Sequence, residues 1–358
     1  MAKIVALEDS IMRKGKPATA GSPILKGFIS PFDATVAERL DKAGIPTIEI
    51  TAAEEFGIDR ITPDEPEPIM GAVRAVASGS AAYALCNDVF GKARRQAPAN
   101  KVCYIRPTYG TVSRFGLIPA ASSMDQIGIV CKDPAEGFQL LSLLSGNDEK
   151  DGAMYPDVEY TYTPYKGEIR LAIPDNGWAK SENGEDIISR LESKFKTKHM
   201  ELKYFELYKQ VLYILSCAEI CNNTNRYDGA KFGYRSPAHR DIDDLYINTR
   251  SEALGRGTKL AAIMGAVVLS QDNYKLYYEK AMKIRRLIKD AVNFGDYDAI
   301  VLPARCKGTP YEQLALYALA ALAGLPSLTV PYGNSGIQII ANVKKENVLL
   351  GAWEVAKS

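Results

Sequence analysis

The sequence predicts the α/β fold class, because short apolar segments typical of strands alternate along it with amphipathic segments typical of helices. Apolar residues make up 46% and charged residues 24% of the 358 residues, an ordinary balance for a globular protein. This length suits one large domain or two modest ones.

The first elements are marked by a helix cap and by glycine. Asp33 can cap a helix whose apolar face covers residues 36–43, and Gly44 ends it. Residues 46–50 follow as a strand. Prolines and acids interrupt residues 59–68, which predicts an exposed loop there.

A second helix start is marked by Asp133 followed by Pro134, with apolar positions every three residues and Gly146 after the end. The later elements are predicted by the same patterns at these ranges: strand 168–173, helix 184–197, strand 199–204, helix 206–223, helices 251–272 and 274–293, strand 299–302, helix 311–323, and strands 328–330 and 337–343.

Several functional classes are excluded by composition. The net charge is +1 and basic residues are spread along the chain, so we expect neither nucleic-acid nor membrane binding through a basic surface. No apolar run reaches about 18 residues, and the first residues lack a signal-peptide core. Six cysteines without CxxC spacing indicate reduced thiols in the cytoplasm. Only two histidines occur, so we expect no metal and no cofactor.

Several sequence blocks carry a resemblance that spans nearly the whole chain. Residues 106–116 (RPTYGTVSRFG) and 121–128 (ASSMDQIG) are similar to KPTYGRVSRYG and ASSLDQIGP of the amidase signature family, in the form found in glutamyl-tRNA amidotransferase A subunits. Further similar blocks occur in the same order at 31–36, 226–235, 249–252 and 323–326. The resemblance implies one α/β/α domain over residues 1–358, with a central mixed sheet covered by helices on both faces. It also implies that a helical N-terminal region of the family is missing.

The family hydrolyses amides with a serine nucleophile, a bridging serine and a lysine, and the resemblance allows each position to be located. The lysine block IAIKDN corresponds to VALEDS, which puts Glu8 at the lysine position. The nucleophile block ALGSDTGGSIR corresponds to residues 84–94, which puts Lys92 at the serine position. Counting back places the bridging serine at Pro68. We therefore expect no catalytic residue of the family mechanism and predict a non-catalytic homologue with a binding or scaffold role. The alternative is an enzyme acting on carbon–nitrogen bonds with rebuilt chemistry.

The former site is expected to survive as a polar pocket, in which Glu8 and Lys92 form an ion pair. The residues expected around that pocket are Asn87, Asp88, Phe90, Arg94 and Arg95. The basic residues near Asp88 either support the loop with that acid or form a new anion pocket with Lys92. Cys86 is expected to be an inert buried thiol. The resemblance implies a B- or C-subunit-like protein partner, and a homo-oligomer is the alternative.

Overall fold

The computed structural model describes residues 3–52, 54–58, 68–181 and 183–358, and its centre is a ten-stranded β-sheet. The strands are β1 (Val5–Glu8), β2 (Thr47–Ile50), β3 (Tyr83–Asn87), β4 (Cys103–Arg106), β5 (Ile127–Cys131), β6 (Arg170–Pro174), β7 (Lys196–Met200), β8 (Ala299–Pro303), β9 (Ser327–Tyr332) and β10 (Ser335–Ala341). Across the sheet they lie in the order β2-β1-β3-β5-β4-β9-β10-β8-β6-β7.

The sheet is mixed, as predicted. β1 is parallel to both of its neighbours, β2 and β3, whereas β5, β4, β9, β10 and β8 each run antiparallel to the strand before. β6 is parallel to β8 and β7. The carboxyl ends of β1 and β3 therefore meet at one edge of the sheet, and those of β8 and β9 lie at the opposite edge.

Helices cover both faces of the sheet, which confirms the predicted layer order. The helices are α1 (Thr35–Lys42), α2 (Gly71–Ser78), α3 (Lys92–Ala99), α4 (Pro134–Leu144), α5 (Asp175–Trp178), α6 (Gly184–Glu192), α7 (Tyr208–Thr224), α8 (Ile242–Ala253), α9 (Arg256–Leu269), α10 (Lys280–Ala291), α11 (Pro310–Ala323) and α12 (Glu346–Lys357). A π-helical turn, Tyr274–Glu279, precedes α10. Within the described ranges, no helix combines the length and apolar character that crossing a bilayer requires.

Alternation along the strands decides which helices each face contacts. Leu7 and Leu85 point to one face and belong to the core that includes α1, α4 and α12. Ala6, Ala84 and Cys86 point to the other face and share a core with α2 and α3. The sheet is thus buried on both sides, which is typical of α/β proteins.

Local sequence signals located some element ends and missed others. Asp133 caps α4 as predicted, since its side chain accepts a hydrogen bond from the Ala135 amide. The predicted cap Asp33 is wrong: α1 begins after Ala34, and the Asp33 carboxylate accepts from the Lys14 amide instead. Of the predicted loop 59–68, only Pro68 lies within the described residues.

Two further predictions need correction. The single helix predicted over 251–272 is broken after Leu254, and α8 and α9 lie on either side of Gly255. The Gly255 amide donates to the Glu55 carboxylate at 2.8 Å, a tertiary contact that local periodicity cannot reveal. The strand predicted at 199–204 lies earlier, at Lys196–Met200, because the preceding helix α6 ends at Glu192.

Candidate active site

The candidate site lies where two parallel strands end side by side. Glu8 is the last residue of β1 and Asn87 the last of β3, with Leu7 paired to Leu85 in register. Both side chains are buried, and Glu8 is only 3% exposed. Parallel neighbouring strands deliver their final side chains to the same edge, which is where α/β proteins place their ligands.

The Glu8 carboxyl group has an unusual proton affinity for its residue type. Burial raises the pKa of Glu8 to about 8, the neighbouring charge of Asp9 adds to the rise, and the Ser10 hydroxyl and the Asn87 backbone oppose it. The Ser10 Oγ donates a hydrogen bond to Glu8 Oε2 at 3.2 Å. Ser10 was not singled out from the sequence, although it stands two residues after Glu8 and is itself buried.

Cys86 lies beside Glu8 on the same face of the sheet. Its thiol is fully buried, and burial together with the charges of Glu8 and Asp88 raises its pKa well above the ordinary value. A thiol with a raised pKa is a poor nucleophile, so the structure supports the prediction of an inert cysteine.

Lys92 begins α3, directly after Gly91 in a left-handed conformation with φ 84°. Its ammonium lies 2.6 Å from Glu54 Oε1, and both side chains are buried. The predicted ion pair between Glu8 and Lys92 is wrong: among the described residues Lys92 pairs with Glu54, while the side-chain partner of Glu8 is Ser10. Glu54 precedes Lys92 by 38 residues and belongs to no motif, so sequence inspection could not find it.

Asp88 and Arg94 fix the loop between β3 and α3. The Asp88 carboxylate accepts from the Ala93 and Arg94 amides and from Arg94 Nε, the last at 2.9 Å. Arg94 also donates to the Tyr317 carbonyl, and Arg106 donates to the Asp88 carbonyl. Of the two alternatives left by the sequence, Arg94 therefore follows the first, because its guanidinium holds the loop together.

The other predicted pocket residues divide between the site and its surroundings. Asn87 donates to the Asp125 carboxylate at 2.7 Å and accepts from the Gln126 amide, so it ties the site to the 121–128 block. Phe90 packs into the apolar core that includes α7 and α11.

Two further residues lie away from the strand ends. Pro68 is exposed, and its carbonyl accepts a hydrogen bond from Nε2 of Gln96, further along α3, at 3.0 Å. Arg95 is buried but lines a separate cavity at the other edge of the sheet.

A small cavity of about 180 Å³ adjoins the site. Asp125, the partner of Asn87, lines it, and so do Leu117 and Pro119 on either side of Ile118. The Ile118 amide donates to the Ser10 carbonyl at 2.8 Å, whereas Ser10 and Glu8 do not themselves line the cavity. Arg114 and Lys150 also line it, together with Asp151, to which Arg114 donates at 2.7 Å.

The arrangement can perform acid–base and nucleophilic chemistry. A hydroxyl that donates to a carboxyl group at hydrogen-bond distance is the geometry of a nucleophile and its base. A pKa near 8 lets Glu8 both accept and return a proton close to neutral pH. Within the described residues no group of three or more His, Cys, Asp and Glu side chains is placed to hold a metal ion.

Comparison with known proteins gives a consistent set of matches. The sequence model of the Amidase family matches residues 70–350. The glutamyl-tRNA(Gln) amidotransferase A subunit of Lachnospira eligens is 32% identical over 97% of this chain and 82% of its own length. The protein of the same name from Lachnoclostridium phytofermentans is 34% identical, over 92% of this chain and 75% of its own.

Solved structures agree with these matches. The glutamyl-tRNA(Gln) amidotransferase A subunit of Thermotoga maritima superposes with a TM-score of 0.73 at 26% identity, covering 98% of this chain and 81% of its own. The peptide amidase of Stenotrophomonas maltophilia gives a TM-score of 0.80 at 21% identity, covering 99% of this chain and 83% of its own, a likeness of fold.

These matches overturn the expectation of a non-catalytic scaffold protein. Relatives about 32% identical over nearly the whole chain are named as amidotransferase subunits, and the matching family is one of amidases. The alternative weighed from the sequence, an enzyme acting on carbon–nitrogen bonds, fits them better. The error lay in inferring the loss of all activity from the replacement of Ser and Lys at the family's motif positions.

Proposed function

The chain belongs to the amidase family, and from that membership we propose that it is an amidase- or amidotransferase-type enzyme with rebuilt chemistry at Glu8 and Ser10. The observation that carries this proposal is the 3.2 Å hydrogen bond from the Ser10 hydroxyl to the buried Glu8 carboxyl group. Glu8 stands where the resemblance puts the family's lysine, so the base would be a carboxylate in place of an amine.

The reaction follows from the two groups. Ser10 Oγ bonds to the carbonyl carbon of an amide while its proton passes to the Glu8 carboxylate. The carbon–nitrogen bond then breaks, and the amine leaves with the proton that Glu8 holds. Water, or an acceptor amine in a transfer reaction, releases the acyl group from Ser10. Glu8 accepts the proton of this second nucleophile and returns it to Ser10 Oγ.

The surroundings keep this pair in place. Asp88 and Arg94 fix the loop that follows β3, and Asn87 is held by Asp125. The neighbouring cavity, lined by Leu117, Pro119 and Asp125, is the space that we propose for a small amide substrate. We propose no family-type role for Pro68 or Lys92. Lys92 instead holds the start of α3 against Glu54.

The proposal is tested with the full chain by ammonia release from L-glutamine and from a panel of simple carboxamides. Ser10→Ala and Glu8→Gln should each lower kcat by about 100-fold or more, since each removes one member of a nucleophile–base pair. Because Glu8 must be ionised to accept a proton, the rate should rise with pH and level off above its pKa of about 8.

Two matched variants serve as controls. Ser145 is as buried as Ser10, and its hydroxyl contacts Tyr162. Glu346 is a buried glutamate whose carboxylate accepts from the Thr108 amide. Ser145→Ala and Glu346→Gln should retain activity. Full activity in Ser10→Ala would exclude the proposed nucleophile, and no turnover of any amide by the wild-type chain would exclude the proposed reaction.

The assembly and setting of the enzyme are part of the same proposal. Relatives are named as one lettered subunit of a larger enzyme, which supports a protein partner for this chain. A sheet that takes strands from both ends of the sequence supports one domain over residues 1–358. All six cysteines are free thiols, which supports a reducing cytoplasmic setting. We propose that the reaction needs no cofactor, because Ser10 and Glu8 supply the nucleophile and the base.

A further inference from the structure

A second, larger cavity lies at the edge of the sheet opposite to Glu8. Its volume is about 640 Å³. Three segments form it: the carboxyl end of α3, the loop 304–308 after β8, and the turn 333–336 between β9 and β10. Because α3 begins beside the candidate active site and ends here, the two places are separated by the length of that helix.

The lining of this cavity is strongly basic. Arg95, Lys101, Arg305 and Lys307 line it, and among the described residues of its lining there is no Asp or Glu. Four cations in one cavity stand out in a chain whose net charge is +1. The nearest acid along the loop, Glu312, accepts a hydrogen bond from the Thr309 amide in the capping box of α11, and its carboxylate lies beside Gly308 of the lining.

Three of these cations lack a counter-charge among the described residues. In the part of the chain that the structure describes, the charged groups of Lys101, Arg305 and Lys307 have no carboxylate oxygen within 4.0 Å. Other exposed cations do form such pairs, for example Lys198 with Asp296 at 2.8 Å. Like charges gathered in one cavity repel each other, and a bound anion relieves that repulsion.

Backbone hydrogen bonds hold the segments from which these basic side chains extend. The Ala304 amide donates to the Gly336 carbonyl at 2.9 Å, and the Lys307 amide donates to the Lys180 carbonyl at 3.0 Å. Lys101 has a left-handed backbone with φ 57°, and its amide donates to the Pro98 carbonyl. The three basic side chains therefore extend from backbone segments that hydrogen bonds hold in place, and all three residues are exposed to solvent.

We propose that this cavity binds a small ligand through a phosphate or similar doubly charged oxyanion group, held by Lys101, Arg305 and Lys307. Several cations around one cavity suit a doubly charged group better than a single carboxylate, and Arg305 can donate two parallel hydrogen bonds to it. The volume lies in the range of small-molecule sites. The cations line one cavity, whereas nucleic-acid surfaces spread them along a stripe.

The test is calorimetric titration of the full chain with inorganic phosphate, pyrophosphate and AMP at constant ionic strength. Saturable binding with one site per chain is expected for at least one of the three. The double variant Arg305→Gln/Lys307→Gln should weaken it by about tenfold or more, because each removed cation contributes a charge-assisted hydrogen bond. Tighter binding of AMP than of phosphate would identify a nucleotide as the ligand. Tighter binding of phosphate would identify the free anion as the ligand.

The matched control is Arg74→Gln/Lys203→Gln, which removes the same two charges from exposed positions outside the cavity. It should leave the affinity within about twofold of the wild type, since exposed charges at a distance are screened by salt. Equal weakening by both double variants would overturn the site, because binding would then follow net charge alone. Non-saturable heats for all three ligands would overturn it as well. Both results come from binding heats and do not depend on amide turnover, so they leave the test of the proposed reaction unaffected.

Discussion

Glu8 carries its carboxyl group at the buried end of β1, where proton binding and folding are coupled. The pKa of Glu8 is about 8 in the folded chain, against the ordinary value of 4.5 for a glutamate in an unfolded chain, so the folded chain holds the proton more tightly. Between these values the folded state binds more protons than the unfolded state, and stability falls as pH rises. As the pH rises from about 4.5 to about 8, the ionisation of Glu8 should lower the free energy of unfolding by about 4 kcal/mol.

Urea unfolding of the wild type and of Glu8→Gln at pH 5 and pH 8.5 measures this cost. The variant should gain stability relative to the wild type at the higher pH, because the amide never ionises. Glu136→Gln is the control: the pKa of Glu136 is lowered by Lys3, so both states are ionised at both pH values and the difference should stay flat. A flat difference for Glu8→Gln too would contradict the raised pKa.

The ion pair between Lys92 and Glu54 gives a second prediction for single residues. Both side chains are buried, so Lys92→Met should lower the free energy of unfolding by about 3 kcal/mol. Adding Glu54→Leu should recover much of that loss, since the double variant buries no charge at this contact. The double-mutant cycle is read from urea unfolding at pH 7.

The exposed pair of Lys198 and Asp296, at 2.8 Å, serves as the matched cycle. Its coupling energy should stay below about 1 kcal/mol, because water screens exposed charges. Equal coupling in the two cycles would show that burial adds nothing to the contact between Lys92 and Glu54.

Sequence inspection identified Glu8, Asn87, Asp88, Lys92 and Arg94 as neighbours of one site, because the family blocks fix their order along the chain. The structure places them around the same strand ends and the start of α3. Sequence inspection could not identify their partners. Glu54 comes from a segment with no motif, and the contact of Ser10 with Glu8 depends on the path of the chain after β1.

At the scale of elements, the junction between β3 and α3 depends on a glycine. Gly91 has φ 84°, and a Cβ built there would lie 2.1 Å from the ring of Tyr317. That ring cannot move aside easily, because Tyr317 Oη donates to the Ala304 carbonyl at 2.5 Å and the Arg94 guanidinium lies over the ring. Gly91→Ala should therefore lower the free energy of unfolding by about 3 kcal/mol or more, from backbone strain plus overpacking.

Gly27 provides a matched control for this substitution. Its φ is 82°, and a Cβ there would have no neighbour within 4 Å. Gly27→Ala should cost only the strain of the left-handed backbone, about 1 kcal/mol. Chemical denaturation of both variants separates the two contributions. Equal losses would mean that the Tyr317 ring does not restrict the junction.

Elements were predictable where the signal is local. The start of α4 follows from Asp133 and Pro134, which act within one turn of the helix. The break between α8 and α9 follows from a hydrogen bond between Gly255 and Glu55, residues 200 positions apart. Contacts across such distances are set by the whole fold, so periodicity alone extended the helix through the break.

At the scale of the whole molecule, α9 carries apolar residues on two sides, and only one of these sides is buried. Thr258, Ala261, Gly265 and Val268 are buried, and Gly265 allows α9 to approach α7 closely at Cys217. The opposite side exposes an apolar stripe at helical spacing, which we call the α9 stripe: Leu260, Ile263, Met264 and Val267. A helix apolar all round is normally buried all round, so the stripe is the surface that a partner would cover.

The protein partner that forms part of the proposed function would cover this stripe, since the relatives are named as one lettered subunit of an amidotransferase. Ile263 is 63% exposed at the centre of the stripe, so Ile263→Asp should prevent assembly without unfolding the chain. The experiment co-expresses the chain with the products of its neighbouring genes and measures the mass of the purified complex by light scattering. Burying the new carboxylate without a partner should weaken the complex by about 100-fold or more.

Val355→Asp is the control, since Val355 is an exposed apolar residue on α12, away from the α9 stripe. It should leave the complex intact and keep the same melting temperature as Ile263→Asp. A chain that forms a dimer by itself, broken by Ile263→Asp, would assign the stripe to a second copy and refute the unlike partner. If the complex forms equally well with Ile263→Asp and with Val355→Asp, the interface lies elsewhere, and the exposed side of α9 then needs another explanation.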